Sequence, residues 1–341
     1  MNSKVCMIRN ANDLVQDAVG RYFPRKRILI SGLILAVLIV AGAPAESMPQ
    51  SAVNSFLGRW DLTVKTESKE YPSWIQISQE HRELKAEMVG EVGNARPLPR
   101  VSIERGEIEF ISPKEEEGRR EDMVFRGRLS GDRLVGTTTG PDGSLWTWTG
   151  THAPTLKRNG EPRWGKPVSL FDGRSLSGWT FRDQEHATNW KVENGTLVKT
   201  GRGSELISEG KFQDLKLHVE FNCDPRSNSG VYLRGRYEVQ IETDSVAEPP
   251  SHHTGGVYGF LAPTPEQPRR PGVWQTFDIT LIGRNVTVVH NGTTVIDHQE
   301  IPGITGGAID SHEASPGAIY LQGSEENRVV FRNIVITPAE N

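Results

Sequence analysis

The sequence predicts an all-β protein made of two consecutive β domains. Its 35 glycines and 21 prolines make up about one residue in six, above the roughly one in eight of average proteins, as expected for a chain rich in turns. After residue 55, short segments alternate apolar and polar residues with a period of two, which is typical of half-buried strands. No long amphipathic helix is evident after residue 50, and the length of 341 residues favours two domains.

The first 45 residues have the layout of an export signal. Residues 25–27 are Arg-Lys-Arg, residues 28–43 are mostly apolar, and Ala43-Pro44-Ala45 has the small-x-small form of a cleavage site. The apolar run is shorter than the ~20 residues of a membrane-spanning helix. We interpret residues 1–45 as a signal peptide, with a signal anchor as the alternative. The protein is therefore expected in the periplasm or outside the cell, with a membrane tether through residues 28–43 if the signal is retained.

Residues 55–152 are predicted to form a small antiparallel β-barrel or sandwich. Residues 58–64 alternate as a first strand, and strand-like segments follow at regular spacing. The opening Gly58-x-Trp60 motif and the meander of strands resemble a lipocalin-type barrel. Residues 153–167 contain three prolines and show no periodicity, which predicts a linker.

Residues 168–338 are predicted to form a second β domain, a sandwich. Residues 215–221 place four apolar side chains on one face and polar ones, Glu220 among them, on the other. Residues 237–242 show the same alternation. The Asn291-Gly292 dipeptide predicts a two-residue hairpin turn between two further strands.

Charge and cysteine content exclude some functions. The formal net charge is -4, and no basic stripe stands out, so nucleic acid is not expected as a partner. The two cysteines are Cys6 and Cys223. Removal of the signal leaves Cys223 alone, without an intrachain disulfide, and we interpret it as a small packing residue.

Two of the predicted strands carry an unusual number of forked polar side chains. Arginine, glutamate and glutamine on rigid strands can offer paired donors and acceptors to the vicinal hydroxyls of a sugar. The alternative is a solvated outer sheet face with cross-strand ion pairs. We expect these side chains to share one sheet face; they are Glu220, Arg234 or Arg236, Glu238, Gln240 and Glu242.

Several motifs follow one another in a specific order across the second predicted domain. Among them are residues 170–173 (Leu-Phe-Asp-Gly), 190–195 (Trp-Lys-Val-Glu-Asn-Gly), 228–234 (Asn-Ser-Gly-Val-Tyr-Leu-Arg), 237–241 (Tyr-Glu-Val-Gln-Ile), 255–259 (Gly-Gly-Val-Tyr-Gly) and 331–334 (Phe-Arg-Asn-Ile). In order and spacing, residues 168–338 resemble the 3-keto-disaccharide hydrolase domain family. The resemblance implies a concanavalin A-like jelly roll with a ligand groove on its concave face.

The resemblance also implies an activity, cleavage of the glycosidic bond of a sugar already oxidised at C3. A C3 ketone acidifies the C2 proton, so that a base can form an enolate, the C1 substituent can leave and water can add. Such a site needs a base, a donor or cation for the enolate oxygen, and an acid for the leaving group. It does not need the two spaced carboxylates of ordinary glycosidases.

These requirements suggest roles for individual residues. Our hypothesis takes Glu220 or Glu238 as the base and Arg234 as the partner of the enolate oxygen. His253 and Tyr258 are predicted to lie in or beside a loop over the groove, where they can donate a proton. The predicted substrate-binding residues are Asn228, Arg236, Gln240, His253 and Tyr258.

The family setting is compatible with a bound divalent cation such as Ca²⁺. Glu242, Asp244 and the His252-His253 pair offer ligands, but their spacing matches no tight zinc or EF-hand pattern. The identity of a metal therefore stays open, and a solvated loop is the alternative for the two histidines.

One departure from the family pattern keeps other functions open. A glutamine followed closely by Asp-His-Gly is expected before the last strand, whereas here Gln322-Gly323 runs into Ser-Glu-Glu-Asn without a histidine. One alternative is therefore a non-catalytic carbohydrate-binding module. A second is that the N-terminal barrel holds a small apolar ligand while the sandwich anchors a sugar.

Overall fold

The computed structural model describes residues 50–114, 119–158, 160–185, 187–242, 248–323 and 327–340. The predicted signal in residues 1–45 and the predicted tether in residues 28–43 lie outside this part of the chain. Among the described residues, no helix is both long enough and apolar enough to cross a membrane. These residues all fall within a single compact unit, Ser47–Asn341.

The described chain is built almost entirely of strands, which confirms the predicted all-β fold. Its helices are α1 (Gln50–Asn54) and two 3-10 turns, Ala187–Asn189 and Pro250–His252. The strands are β1 (Gly58–Lys65), β2 (Glu70–Glu80), β3 (Glu83–Val89), β4 (Arg96–Pro97), β5 (Val101–Glu104), β6 (Glu107–Ser112), β7 (Met123–Ser130), β8 (Arg133–Thr139), β9 (Leu145–His152), β10 (Val168–Ser169), β11 (Trp179–Phe181), β12 (Trp190–Glu193), β13 (Thr196–Lys199), β14 (Leu206–Phe212), β15 (Leu215–Cys223), β16 (Ser229–Leu233), β17 (Tyr237–Ile241), β18 (Gln275–Ile282), β19 (Asn285–His290), β20 (Thr293–Glu300), β21 (Gly317–Leu321) and β22 (Val329–Pro338).

Strands β1–β9 form one antiparallel meander, here called the N-terminal sheet. In the described residues its order is β4-β3-β2-β1-β9-β8-β7-β6-β5, so that β9 returns to pair with β1. Strands β3 and β5 also come into contact, because the sheet curls around its own core. Alternation explains the curl, since Trp60, Leu62 and Val64 of β1 are all buried inside.

The interior of the N-terminal sheet is filled by side chains. The rings of Phe110 and Phe125 stack with centroids 4.9 Å apart, and Phe110 lies edge-on to Trp148 at 5.6 Å. Trp148 in turn packs on the backbone of Gly127 and Gly136, where an added Cβ would lie 2.5 and 2.4 Å from its ring. A small apolar ligand needs an open barrel, so this packing argues against that second alternative.

The remaining strands form a sandwich of two antiparallel sheets. Among the described residues, the larger sheet has the order β12-β13-β22-β15-β18-β19-β20, with β10 also paired to β22. The smaller one, here called the cleft sheet, has the order β11-β14-β21-β16-β17. Long connections between strands that are neighbours in space give the jelly-roll architecture that the motifs predict.

The sandwich core lies between its two sheets and extends into the N-terminal sheet. Leu217 and Phe221 of β15 meet Val239 and Ile241 of β17 in one buried cluster. Trp74 and Val89 of the N-terminal sheet belong to the same cluster. Burial of large apolar surface, worth roughly 25 cal/mol per Å², therefore holds the N-terminal sheet against the sandwich.

A buried polar cluster, here called the junction cluster, lies where β1 meets the sandwich. The fully enclosed Glu313 carboxylate accepts hydrogen bonds from Arg284 at 2.8 Å and from the Tyr237 hydroxyl at 2.5 Å. Burial, followed by the nearby charge of Glu313, raises the pKa of Asp61 to about 9. Because Glu313 already has two donors, the proton of this carboxyl pair resides on Asp61.

Candidate functional site

A polar cleft of about 820 Å³ opens on the face of the cleft sheet that points away from the sandwich core. Strand alternation creates it, because Tyr237, Val239 and Ile241 of β17 face the core while Glu238 and Gln240 face the cleft. Other residues that line the cleft lie on β16, on β21, in the loops around residues 182–185 and 306–307, and in the N-terminal sheet. The size suits one or two sugar rings.

Glu238 lies at the floor of this cleft and is only 2% exposed. Its Oε2 lies 2.7 Å from the Tyr232 hydroxyl, on the neighbouring strand β16. The carboxylate fits because Gly230 has no side chain, and a Cβ there would lie 2.1 Å from Glu238 Oε1. The glycine therefore provides the space that the carboxylate occupies.

The Tyr232 hydroxyl can serve Glu238 in both of its protonation states. Its oxygen lies 2.7 Å from Glu238 Oε2 and 2.8 Å from the carbonyl of Gly306. When Glu238 is ionised, the Tyr232 hydroxyl donates a hydrogen bond to the carboxylate. When Glu238 is protonated, the acid can donate to Tyr232, which then donates to the Gly306 carbonyl. Such an arrangement suits a carboxyl group that gains and loses a proton.

A second tyrosine extends this pair along the cleft floor. The ring of Tyr320, on β21, stacks on that of Tyr232 with centroids 4.0 Å apart. Burial, with the charge of Glu238 as a further cause, raises the pKa of Tyr232 well above its ordinary value. Burial and the charge of Glu205 do the same to the pKa of Tyr320. Both phenols therefore remain neutral donors over the whole ordinary pH range.

Amide side chains line the cleft beside Glu238. Gln240 donates to Glu242 Oε2 at 2.8 Å. Asn228 Oδ1 and Gln322 Oε1 are buried, and no described residue supplies either with a hydrogen-bond partner. Unsatisfied buried acceptors at a cleft are expected where a ligand supplies the missing donors, and sugar hydroxyls are suitable donors.

The sides of the cleft carry Arg182 and Tyr258. Arg182 is exposed and donates to the carbonyls of Gly307 at 3.0 Å and Ala308 at 3.3 Å. Tyr258 is half-buried, its ring stacks on His252 with centroids 4.4 Å apart, and its N–H donates to the Glu238 carbonyl at 3.1 Å. A cation and a phenol thus lie on the walls above the Glu238 carboxylate.

The structure brings only half of the predicted site residues together. Those that line the cleft are Asn228, Glu238, Gln240 and Tyr258. Glu220 lies on β15 of the other sheet, where Arg332 and Asn333 donate to it at 2.6 and 3.0 Å. The expectation that Glu220 and Glu238 share one face is wrong, because the sandwich core separates their sheets.

The two predicted arginines also lie elsewhere. Arg234 is 1% exposed and donates to the carbonyls of Gly283, Glu313 and Ser315. Arg236 forms an ion pair with Asp310 at 2.7 Å and donates to the Ser315 carbonyl at 2.9 Å. Both sit around the turn between β16 and β17, where they hold the 310–315 loop, so neither reaches the cleft.

The predicted loop histidines are committed to other partners. His253 Nδ1 lies 3.0 Å from Glu266, and His252 Nδ1 lies 3.0 Å from Glu248. The other predicted metal ligand, Asp244, and the segment expected to hold the family histidine, residues 324–326, lie outside the described residues. Within the described chain, no group of three or more His, Cys, Asp or Glu side chains could hold a metal ion.

Several lining residues escaped the sequence-based prediction. Tyr232 belongs to the 228–234 motif. Alternation along β16 places it on the cleft-facing side of the strand, and this pattern could have identified it. Tyr320 lies on β21, whose five residues are all buried. The sequence of that strand therefore shows no alternation of apolar and polar residues that would have indicated a cleft-facing side chain. Arg182 and the lining residues of the N-terminal sheet come from distant parts of the sequence, and only the folded chain brings them to the cleft.

Fold and cleft together define a carbohydrate-active, glycosyl-hydrolase-like β-sandwich. A family model described as the 3-keto-alpha-glucoside-1,2-lyase-like domain matches residues 166–337, half of the chain. The protein belongs to this family, which confirms the resemblance found in its motifs. The Glu238 and Gln240 strand and the Asn228 turn lie within the matched region.

Individual relatives are distant. A 3-keto-disaccharide hydrolase of Bacteroides thetaiotaomicron is 24% identical over 94 residues, which cover 24% of this chain and 32% of the relative. The chain thus spans about a third of the length of that curated relative. A proposed glycosyl hydrolase from Parabacteroides distasonis is 27% identical, with 53% of this chain and 92% of that chain covered and a TM-score of 0.42. A carbohydrate-binding module of Bacillus subtilis is 13% identical, with 46% and 93% covered and a TM-score of 0.34.

Proposed function

We propose that the protein cleaves the glycosidic bond of 3-keto-glycosides in the cleft of its sandwich. The observation that carries this proposal is the buried Glu238 carboxylate on the cleft floor, whose Oε2 lies 2.7 Å from the Tyr232 hydroxyl. A phenol partner suits a proton acceptor, because its hydroxyl can donate a hydrogen bond to the ionised carboxylate and accept one from the protonated acid.

Glu238 acts as the general base in this scheme. It removes the proton at C2, the electrons move into an enolate on the C3 oxygen, and the C1–O bond then breaks. The leaving oxygen receives a proton, and water adds across the C1–C2 double bond to give the free 3-keto sugar. Tyr232 keeps the carboxyl hydrogen-bonded before and after the transfer, since its hydroxyl reaches both Glu238 and Gly306.

The walls of the cleft supply the other two groups that the reaction needs. Arg182 is a fixed cation at the cleft edge, because two loop carbonyls hold its guanidinium. We assign it to the enolate oxygen, in place of Arg234. Tyr258 lines the cleft, its backbone N–H donates to the Glu238 carbonyl at 3.1 Å, and we assign its phenol to the leaving oxygen. Asn228 and Gln322 accept hydrogen bonds from sugar hydroxyls.

The direct test is turnover of a 3-keto-disaccharide compared with its unoxidised parent. The purified protein should release 3-keto-glucose from the oxidised sugar only, and in deuterated water the C2 position of the product should carry deuterium. Glu238→Gln should lower turnover about a thousandfold, within the range of general-base removal. Glu220→Gln, a matched change on the opposite sheet, should leave turnover within about twofold.

Two results would contradict the proposal. Equal cleavage of the unoxidised parent would indicate displacement at C1 rather than elimination. Saturable binding of both sugars without turnover would instead favour a non-catalytic carbohydrate-binding module, the alternative that the missing family histidine keeps open.

We further propose that the protein acts outside the cytoplasm, on the basis of its first 45 residues. Cell fractionation should recover it with periplasmic or secreted proteins. Removal of residues 1–45 should leave it in the cytoplasmic fraction.

A further inference from the structure

The N-terminal sheet contributes one wall of the cleft. Lys69, Glu70 and Tyr71, at the start of β2, line it together with residues 91–93 of the loop between β3 and β4. These residues, here called the N-terminal wall, lie outside residues 166–337, the region that matches the family. The wall is therefore specific to the way in which this chain combines its two β domains.

Packing fixes the N-terminal wall to the sandwich. Trp74, on the same strand as Tyr71, lies within the sandwich core and meets the ring of Phe260 edge-on at 5.5 Å. A Cβ on Gly303 would lie 2.4 Å from the Trp74 indole, so the ring packs directly on the loop backbone. The hydroxyls of Thr63 and Ser311 form a further link at 2.9 Å.

Backbone contacts connect the wall to the reacting group. Gly307 donates its N–H to the Glu91 carbonyl at 3.0 Å. A Cβ on Gly306 would lie 2.5 Å from the Gly93 carbonyl oxygen, so the two loops pack backbone to backbone. The Gly306 carbonyl also lies within hydrogen-bond distance of Tyr232, which bonds to Glu238. Only two residues of loop thus separate the wall from the Tyr232–Glu238 pair.

The chemistry of the wall suits a hydroxyl-rich ligand. Lys69 and Glu91 form an ion pair whose side chains are 53% and 38% exposed, so both retain surface that a ligand can contact. An ammonium beside a carboxylate offers a donor and an acceptor to neighbouring hydroxyls. Tyr71, a largely buried tyrosine, also belongs to this wall.

We propose that the N-terminal wall binds the leaving group of the substrate, and that the Lys69–Glu91 pair selects a leaving group that is itself a sugar. The inference rests on the proposed function, since it assigns one end of the same cleft. The N-terminal sheet has no ligand of its own in this scheme. It completes the site of the sandwich.

The test measures kcat/KM for two substrates in two double variants, one at the N-terminal wall and one as its control. Lys69→Met with Glu91→Gln removes the ion pair without changing net charge. It should lower kcat/KM for a 3-keto-disaccharide about tenfold, mainly through KM, and change kcat/KM for methyl 3-keto-glucoside less than twofold. The matched control is Lys85→Met with Glu80→Gln, an ion pair at the other end of β2 with 54% and 59% exposure, which should affect neither substrate.

Equal loss on both substrates, or no loss on either, would overturn the assignment. If the wild type binds these sugars without turning them over, titration calorimetry gives the same comparison. The tenfold loss should then appear in Kd for the disaccharide alone, which would separate failure of the proposed reaction from failure of the wall. Absence of both turnover and binding would overturn both proposals.

Discussion

Two buried carboxylates of this protein differ in what surrounds them. Glu238, at the cleft floor, and Glu313, in the junction cluster, both accept a tyrosine hydroxyl, at 2.7 and 2.5 Å. Glu313 also accepts a hydrogen bond from Arg284 and is fully enclosed, whereas Glu238 lines the floor of the cleft. Burial and a tyrosine hydroxyl are thus common to both carboxylates, and the difference lies in their access to the cleft. A buried carboxylate with its own arginine is a structural element, and one at a cleft is a candidate base.

The largest expected effect comes from removing the cation of the structural carboxylate. Arg284→Met leaves the Glu313 charge buried without its ion pair, and the free energy of unfolding should fall by about 3–5 kcal/mol. Denaturant unfolding followed by circular dichroism measures this loss. Arg182→Met, at the exposed cleft edge, should cost less than about 1 kcal/mol. Equal losses would contradict the distinction between junction and cleft.

The protonated partner of Glu313 predicts how stability depends on pH. The pKa of Asp61 is about 9 in the folded protein and 3.8 for a free carboxyl. Between these values the folded state holds a proton that the unfolded state has lost, so stability falls as pH rises, by up to about 1.4 kcal/mol per pH unit. From pH 6 to pH 8 the free energy of unfolding should therefore fall by about 3 kcal/mol. Asp61→Asn should remove this slope from the unfolding free energy.

Asp142→Asn is the matched control for that measurement. The hydrogen bonds of Ser144 lower the pKa of Asp142. The contribution of Asp142 to stability is therefore present above the unfolded pKa and is lost only as pH falls toward the lower, folded pKa. The slope from pH 6 to pH 8 should therefore be that of the wild type. A wild-type slope in Asp61→Asn would mean that Asp61 does not hold the proton in the folded protein.

The next effect concerns the space that the Glu238 carboxylate, the proposed base, occupies. Gly230→Ala places a methyl group 2.1 Å from Glu238 Oε1, so the carboxylate must move. Turnover of a 3-keto-disaccharide should fall about 30-fold, which corresponds to about 2 kcal/mol of transition-state stabilisation. Gly165→Ala, where the nearest atom to the new methyl is the Pro338 carbonyl at 3.2 Å, should retain wild-type turnover. Unchanged turnover in Gly230→Ala would argue against Glu238 as the base.

The fold was predictable because its main signals are local. Period-2 alternation in residues 215–221 and 237–242 gave the correct buried face of β15 and β17, and the family motifs gave the jelly roll. Alternation does not say which strands are neighbours in space. Glu220 and Glu238 therefore looked equivalent in sequence, although the core separates them.

The site was predictable only where its residues lie on the motif-bearing strands. Asn228, Glu238, Gln240 and Tyr258 line the cleft as expected. Arg234 and Arg236 follow the same alternation, but they border a tight turn in which the φ of Arg234 is +56°. Their guanidinium groups turn to loop carbonyls there, and loop positions carry no period. For the same reason the N-terminal wall left no signal in the sequence.

The smallest expected effect tests the two phenols directly against each other. Tyr232→Phe removes the hydroxyl that reaches Glu238, and Tyr237→Phe removes the one that reaches Glu313. A hydrogen bond is worth about 1 kcal/mol, so Tyr232→Phe should lower turnover about fivefold. Tyr237→Phe should lower the unfolding free energy by a similar amount and leave turnover unchanged.

Tyr232→Phe should lose turnover and Tyr237→Phe should lose unfolding free energy only if the cleft and junction carboxylates have different roles. Turnover and unfolding are therefore measured on both proteins, with the same 3-keto-disaccharide and the same denaturant. If Tyr237→Phe lost turnover as strongly as Tyr232→Phe, the junction cluster would be coupled to the reaction, and enclosure by Arg284 would no longer identify Glu313 as structural. If neither lost turnover, Tyr232 would not serve the two protonation states of Glu238. The base would then have to accept its proton with no help from the neighbouring phenol.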